Sequence, residues 1–137
     1  VPVVTFPALV KDSAIDRSDV HINEWPVVSE PICFTQNVFD TACIRAISQD
    51  GLRWTGIRGT YAYGTGRPAF QPCAGLNVWL QTNRAGNIPA APGSVCPGIP
   101  LTREFLNLPL SGGYCGIVVF QDQQLGYTFP TPFACFS

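Results

Sequence analysis

Methionine is absent from this 137-residue sequence, histidine occurs once, and charged residues make up only 12% of it. With His21 as the sole imidazole and no C-x-x-C pair, the tight Cys/His cluster that holds zinc is missing, and no metal site is expected. No G-x-S-x-G occurs, so the nucleophile elbow of a serine hydrolase is missing too. No apolar run approaches the ~20 residues that a membrane-spanning helix needs. No Asn-x-Ser/Thr triplet offers an acceptor for N-glycosylation. Charge is about half as frequent as in average globular chains. The surface is therefore expected to be polar through Ser, Thr, Gln and Asn, with little stability resting on ionised groups.

Against these absences stand six cysteines, an even number, at positions 33, 43, 73, 96, 115 and 135. Without metal-binding spacing they read as three disulfides, which persist in oxidising surroundings. The start at Val1 without methionine leads us to expect a cleaved secretory signal and a secreted, extracellular protein. Of the fifteen possible pairings of six cysteines, Cys115 with Cys135 is favoured because a terminal hairpin brings their strands side by side. Cys33 with Cys43 and Cys73 with Cys96 follow as neighbours in sequence.

The length fits one domain, residues 1–137. Thirteen glycines and thirteen prolines punctuate short segments of β-branched and aromatic residues, so the expected fold is all-β, or β-rich with one short helix. A disulfide-stapled sandwich or barrel fits this spacing. "VPVVTFPALV" reads as an edge strand or extended arm because of its prolines, and "VHINEW" as a short strand. Helical turns are expected within residues 33–43, where Val38, Phe39 and Ala42 share a face, and in "TREFLNL" with Thr102 as its cap. Residues 83–100 read as a long Pro/Gly/Ala loop. Asp50-Gly51 predicts a two-residue type I′ turn. That turn sets Ile47 opposite Trp54, with Arg45 and Arg58 on the same face, and Ile44 against Ile57 on the other. The final segment reads as a buried strand, a turn at Asp122–Gly126 and a return strand.

Charge is unevenly placed. Residues 11–50 carry a net −4, and residues 51–103 carry five arginines and no acid. If the segments face apart, the basic one attracts an anionic partner such as a pectin-like polysaccharide; if they pack together, the charges cancel. A nucleic-acid binder would be basic overall, so nucleic acid is not an expected partner. Catalytic signals are weak. His21 and Glu24 form an isolated H-x-x-E, and Glu24, Glu30, Asp40 and Glu104 have no local pattern marking a glycosidase pair. Asp12–Asp19 lacks the spacing of a calcium loop. No cofactor is expected.

Planar aromatics suited to a sugar platform are Trp25, Trp54, Tyr61, Tyr63 and Trp79. The expected binding residues are Arg45, Trp54, Arg58, Tyr61 and Tyr63, since Trp and Arg together favour binding hot spots. The competing reading of Trp54 is core, beneath a second sheet. In composition and cysteine count the chain resembles the small secreted effectors, elicitors, toxins and inhibitors that organisms direct at a host or competitor. That likeness implies action by binding, without catalysis, on an extracellular protein or a cell-wall polysaccharide. A carbohydrate-binding module and a small secreted hydrolase are the alternatives.

Overall fold

Alternation of apolar and polar residues buries one face of a strand, and this pattern recurs through most of the chain. In the computed structural model residues 8–15, 27–36, 40–64, 67, 68, 70–84 and 86–137 are described. Among them are eleven strands: β1 (Leu9–Lys11), β2 (Val27–Val28), β3 (Ile32–Gln36), β4 (Asp40–Ser48), β5 (Gly56–Tyr63), β6 (Ala74–Thr82), β7 (Asn87–Val95), β8 (Leu101–Phe105), β9 (Tyr114–Asp122), β10 (Thr128–Pro130) and β11 (Ala134–Phe136). They form a six-stranded sheet in the order β1-β11-β9-β6-β7, with β10 also on β9, and a five-stranded sheet in the order β2-β4-β5-β8, with β3 also on β4. The fold is an all-β sandwich without a helix among the described residues.

The core lies between the sheets. Ala42, Ile44 and Ala46 of β4 and Ile57 and Tyr61 of β5 pack with Leu76, Val78 and Leu80 of β6 and Val118 and Phe120 of β9. Tyr61 bridges the layers, its ring centroid 5.5 Å from Phe120 and 5.4 Å from Phe129, within the range of tilted aromatic pairs. The sheets approach closely at Gly59, where a Cβ would lie 2.5 Å from Val118 Cγ1. A side chain there would force the layers apart, at about 1–3 kcal/mol.

In each sheet one flank is broken and mended in the same way. Pro31 separates β2 from β3 along β4, and Pro132 separates β10 from β11 along β9. Ser29 Oγ accepts from Ala46 N at 2.8 Å, and Thr131 Oγ1 accepts from Val118 N at 3.1 Å. Both hydroxyls are buried, at 2% and 0% exposure. Each replaces a carbonyl in the ladder, so the central strand keeps its donors satisfied across the break.

The three disulfides join the expected pairs: Cys33–Cys43, Cys73–Cys96 and Cys115–Cys135. Two of them link directly opposed residues of neighbouring strands, Cys33 with Cys43 and Cys115 with Cys135. The third joins the residue before β6 to the residue after β7.

Four expectations are corrected. Residues 33–43 hold no helix among those described: β3 and β4 pair there as antiparallel strands with Cys33 opposite Cys43, while Val38 and Phe39 lie outside the described residues. "TREFLNL" contributes to β8, paired along β5 with Thr102 opposite Thr60. Half of the segment 83–100 is strand β7, at the outer edge of its sheet; an edge tolerates Pro89 and Pro92 because one flank needs no donors. Arg103 finishes that edge, donating to Ala91 O at 2.8 Å and Pro92 O at 3.1 Å.

The fourth correction is the hairpin register. Ile47 faces Gly56, and Arg45 faces Arg58, two residues away from the predicted pairing. Of Asp50 and Gly51 only the glycine takes a positive φ, 75°, and the aspartate instead accepts from Leu52 N at 2.8 Å and Arg53 N at 3.1 Å. The backbone of Leu52 and Trp54 pairs with Ile15 and Ser13 of the N-terminal segment, which holds the loop open. A shift of two preserves faces, so the predicted sides of β4 and β5 stand. The strand read in "VHINEW" lies outside the described residues; "VPVVTFPALV" supplies β1, which is an edge strand, parallel to β11.

Candidate functional site

Strand direction brings the β3–β4, β5–β6, β7–β8 and β9–β10 connections to one end of the sandwich, because Asp40, Tyr63, Ala74, Val95, Leu101 and Asp122 all terminate strands there. Between them opens a cleft of about 620 Å³, lined by Asp40, Tyr61, Tyr63, Arg67, Asp122 and Tyr127 among others. Its floor is ionic. Asp40, only 1% exposed, accepts from Arg67 Nε at 2.6 Å, from Arg67 Nη2 at 2.7 Å and from the Tyr61 hydroxyl at 2.5 Å. A two-pronged guanidinium is the partner that best offsets desolvation of a buried carboxylate.

This network sets the local electrostatics. Burial, then the hydrogen bond to Asp40, pushes the Tyr61 phenol far above its ordinary value of 10.0. Burial also raises Tyr63. The bond to Asp40 holds Arg67 more firmly protonated. The guanidinium carbon of Arg67 stands 4.2 Å from the centre of the Tyr63 ring, a cation–π contact that fixes both side chains. Leu125 and Tyr127 line the cleft at 70% and 63% exposure, and the β5–β6 and β7–β8 connections at this end expose Phe70 at 87% and Ile99 at 62%.

Of the five predicted binding residues, the fold brings Tyr61 and Tyr63 together at this cleft, Tyr61 in its wall and Tyr63 nearer its mouth. Trp54 is at the opposite end and only 3% exposed; it is packed into the core and presents no face to a partner. Arg45 and Arg58 are on the outer face of the five-stranded sheet. There Arg45 donates to Ser29 O at 3.3 Å and Arg58 pairs with Glu104 at 3.0 Å, which relieves the opposition of two cations across the strands.

The basic segment is largely consumed inside the molecule. Arg67 joins it to Asp40 of the acidic segment, Arg84 donates to Gly112 O, and Arg103 serves the β7 edge. Of the carboxylates considered for catalysis, Asp40 and Glu104 are bound in ion pairs; His21, Glu24 and Trp25 lie outside the described residues. No group of His, Cys, Asp and Glu suited to a metal occurs among the described residues.

Sequence reasoning missed Arg67, Asp122, Tyr127 and the exposed Leu125. The signal was present in "QDQQLGY", a turn that sets a leucine and a tyrosine among polar residues, where water would ordinarily be expected to select against them. A second, shallower groove of about 450 Å³ crosses the outer face of the six-stranded sheet, floored by Trp79, Ile117, Val119, Pro130 and Phe133.

No protein-family model, no curated protein and no solved structure matches this chain. Fold and cysteines define a small disulfide-rich all-β protein, and three disulfides fit an oxidising, extracellular setting.

Proposed function

We propose that this protein acts outside the cell by binding, as an effector or toxin-like protein directed at a host or competitor, and that the loop-bearing end of the sandwich is its contact surface. The observation that carries this reading is that Leu125 and Tyr127, 70% and 63% exposed, line one cleft, and that Phe70 and Ile99, 87% and 62% exposed, stand on two other loops of the same end. Apolar surface gathered in one place and rimmed by polar groups marks interaction sites, whereas single scattered residues do not. Loops carried on a rigid sandwich are the usual bearers of recognition. The buried Asp40–Arg67–Tyr61 network favours binding over hydrolysis, since its carboxylate is fully engaged by donors.

The test is retention of fluorescently labelled protein on a panel of intact plant, fungal and animal cells. Wild type and a control, Leu52→Asp at the far end, are expected to be retained by at least one cell type. Phe70→Asp combined with Leu125→Asp is expected to wash off. Retention of the double variant at wild-type level would remove this end from the proposal, and absence of wild-type retention throughout the panel would overturn the proposal itself.

A further inference from the structure

The chemistry of the cleft narrows what it binds; the argument rests on the reading of this end as the contact surface. Its volume of about 620 Å³ falls within the roughly 300–1,000 Å³ of small-ligand sites. The lining is mixed: rings of Tyr63 and Tyr127, amides of Gln71 and Gln124, the carboxylate of Asp122 and the guanidinium of Arg67.

Charge decides the ligand class. The positive charge of Arg67 is already matched by Asp40. Asp122 has no such match: its Oδ1 accepts from Gln124 N and Leu125 N, both at 2.8 Å, and among the described residues no cation pairs with it. Among the described residues the cleft therefore carries one uncompensated negative charge, which repels uronates, phosphates and sulfates. A cationic ligand would share the cleft with the Arg67 guanidinium, which lines it and lies over the ring of Tyr63. What remains is a neutral molecule rich in hydroxyl donors. Asp122 Oδ2 is an acceptor for hydroxyls, and the amides of Gln71 and Gln124, without a protein partner among the described residues, both donate and accept. Tyr127, 63% exposed, offers a flat ring on which the C–H face of a pyranose packs. We infer that this cleft binds a neutral polysaccharide chain, with Tyr127 as the stacking platform and Asp122 as the hydroxyl acceptor.

Depletion isotherms on insoluble cellulose and chitin, with polygalacturonate as the anionic arm, test this. Wild type is expected to bind at least one neutral polymer and not polygalacturonate. Tyr127→Ala is expected to weaken that binding about tenfold or more. Asp122→Asn keeps the Oδ1 acceptor of the turn, removes the charge, and is expected to weaken it severalfold. Both positions are at the surface, so unchanged melts are the check on folding. No binding to any neutral polymer, preference for polygalacturonate, or unchanged binding by both variants would each overturn the inference. Should the sugars fail while cell retention still depends on Phe70 and Leu125, the inference falls and the broader binding proposal stands; loss of cell retention in wild type removes both.

Discussion

The two ends of the sandwich are made of similar parts, short loops between antiparallel strands, yet they are finished in opposite ways. At the end bearing Trp54, loops bond to one another: Trp54 N to Ser13 O at 3.0 Å, Ile15 N to Leu52 O at 3.0 Å and Leu108 N to Thr55 O at 2.8 Å. Asn83 ties two more segments, donating to Gly113 O and accepting from Cys115 N. At the cleft end most backbone bonds close a loop on itself, as in Gln71 N to Pro68 O, Ile99 N to Cys96 O and Gly126 N to Asp122 O. The first end is sealed with a buried indole; the second is floored by an ion pair and leaves its tips in water. A sandwich needs both ends of its core covered, and covering one of them with charge and phenol instead of indole leaves a polar cavity that a ligand can share.

The largest expected effect tests the seal. Trp54→Ala removes a core ring and is expected to cost about 3–5 kcal/mol, read as a lower midpoint in denaturant. A near-wild-type midpoint would mean that the indole is dispensable and the contrast between the ends false. Next comes the floor of the other end. Arg67→Ala leaves the buried Asp40 carboxylate with the Tyr61 hydroxyl alone. Losing one partner of a buried pair costs ~3–5 kcal/mol, and because the Arg67 side chain is 24% exposed the loss is expected below that range. Arg67→Lys is expected to recover only part of it, since an ammonium cannot reproduce the two-pronged contact. Full recovery with lysine would show that charge alone matters there.

These positions differ in how legible they were. The disulfides and the faces of β4 and β5 could be read because both follow from local pattern: cysteines near the ends of adjoining strands, and a period of two that a shift of two leaves intact. The register was misread because the Asp50 side chain captured two backbone donors, an option that Asp-Gly leaves open alongside the tight turn. Strand β7 was hidden by Pro89 and Pro92, which are compatible with a strand only at an edge, and an edge is a property of the whole sheet. The cleft was least legible: Asp40 and Arg67 are 27 residues apart, and only the pairing of β4 with β5 brings them together.

A pH series probes both ends without mutation. Tyr61, whose phenol burial pushes upward, is held neutral by the fold where the unfolded chain would ionise it near pH 10. Above that pH the folded state binds more protons than the unfolded, so stability is whole below about pH 10 and declines as pH rises further. Tyr63 and, at the sealed end, Tyr114, both raised in the same direction by burial, add to the decline. For Asp50 at the sealed end the sign is the reverse. Backbone donors from Leu52 and Arg53 hold the Asp50 carboxyl below its ordinary 3.8, so its contribution is present above that pH and is lost as pH falls through its folded value. Thermal midpoints are therefore expected to be level from about pH 5 to 9 and to drop by a few degrees per unit above pH 10. Tyr61→Phe is expected to make the alkaline limb shallower while leaving the acid limb in place; an unaltered alkaline limb would assign the decline to other groups.

The smallest expected effect is at the tips, and it sharpens the comparison most. Leu125 and Tyr127 are 70% and 63% exposed and bury little apolar area, so Leu125→Ser with Tyr127→Ser is expected to shift stability by no more than about 0.5 kcal/mol. Gly126, at φ 76° between them, keeps the turn in place without help from either side chain. Unlike Trp54, these residues gain the fold nothing by being apolar, and water disfavours them where they are. If the double variant melts with wild type yet stays soluble at higher concentration, the tips are apolar for a reason outside the folded monomer. A loss of several kcal/mol would show instead that the tips pack on the molecule itself and that the open end is as sealed as the other.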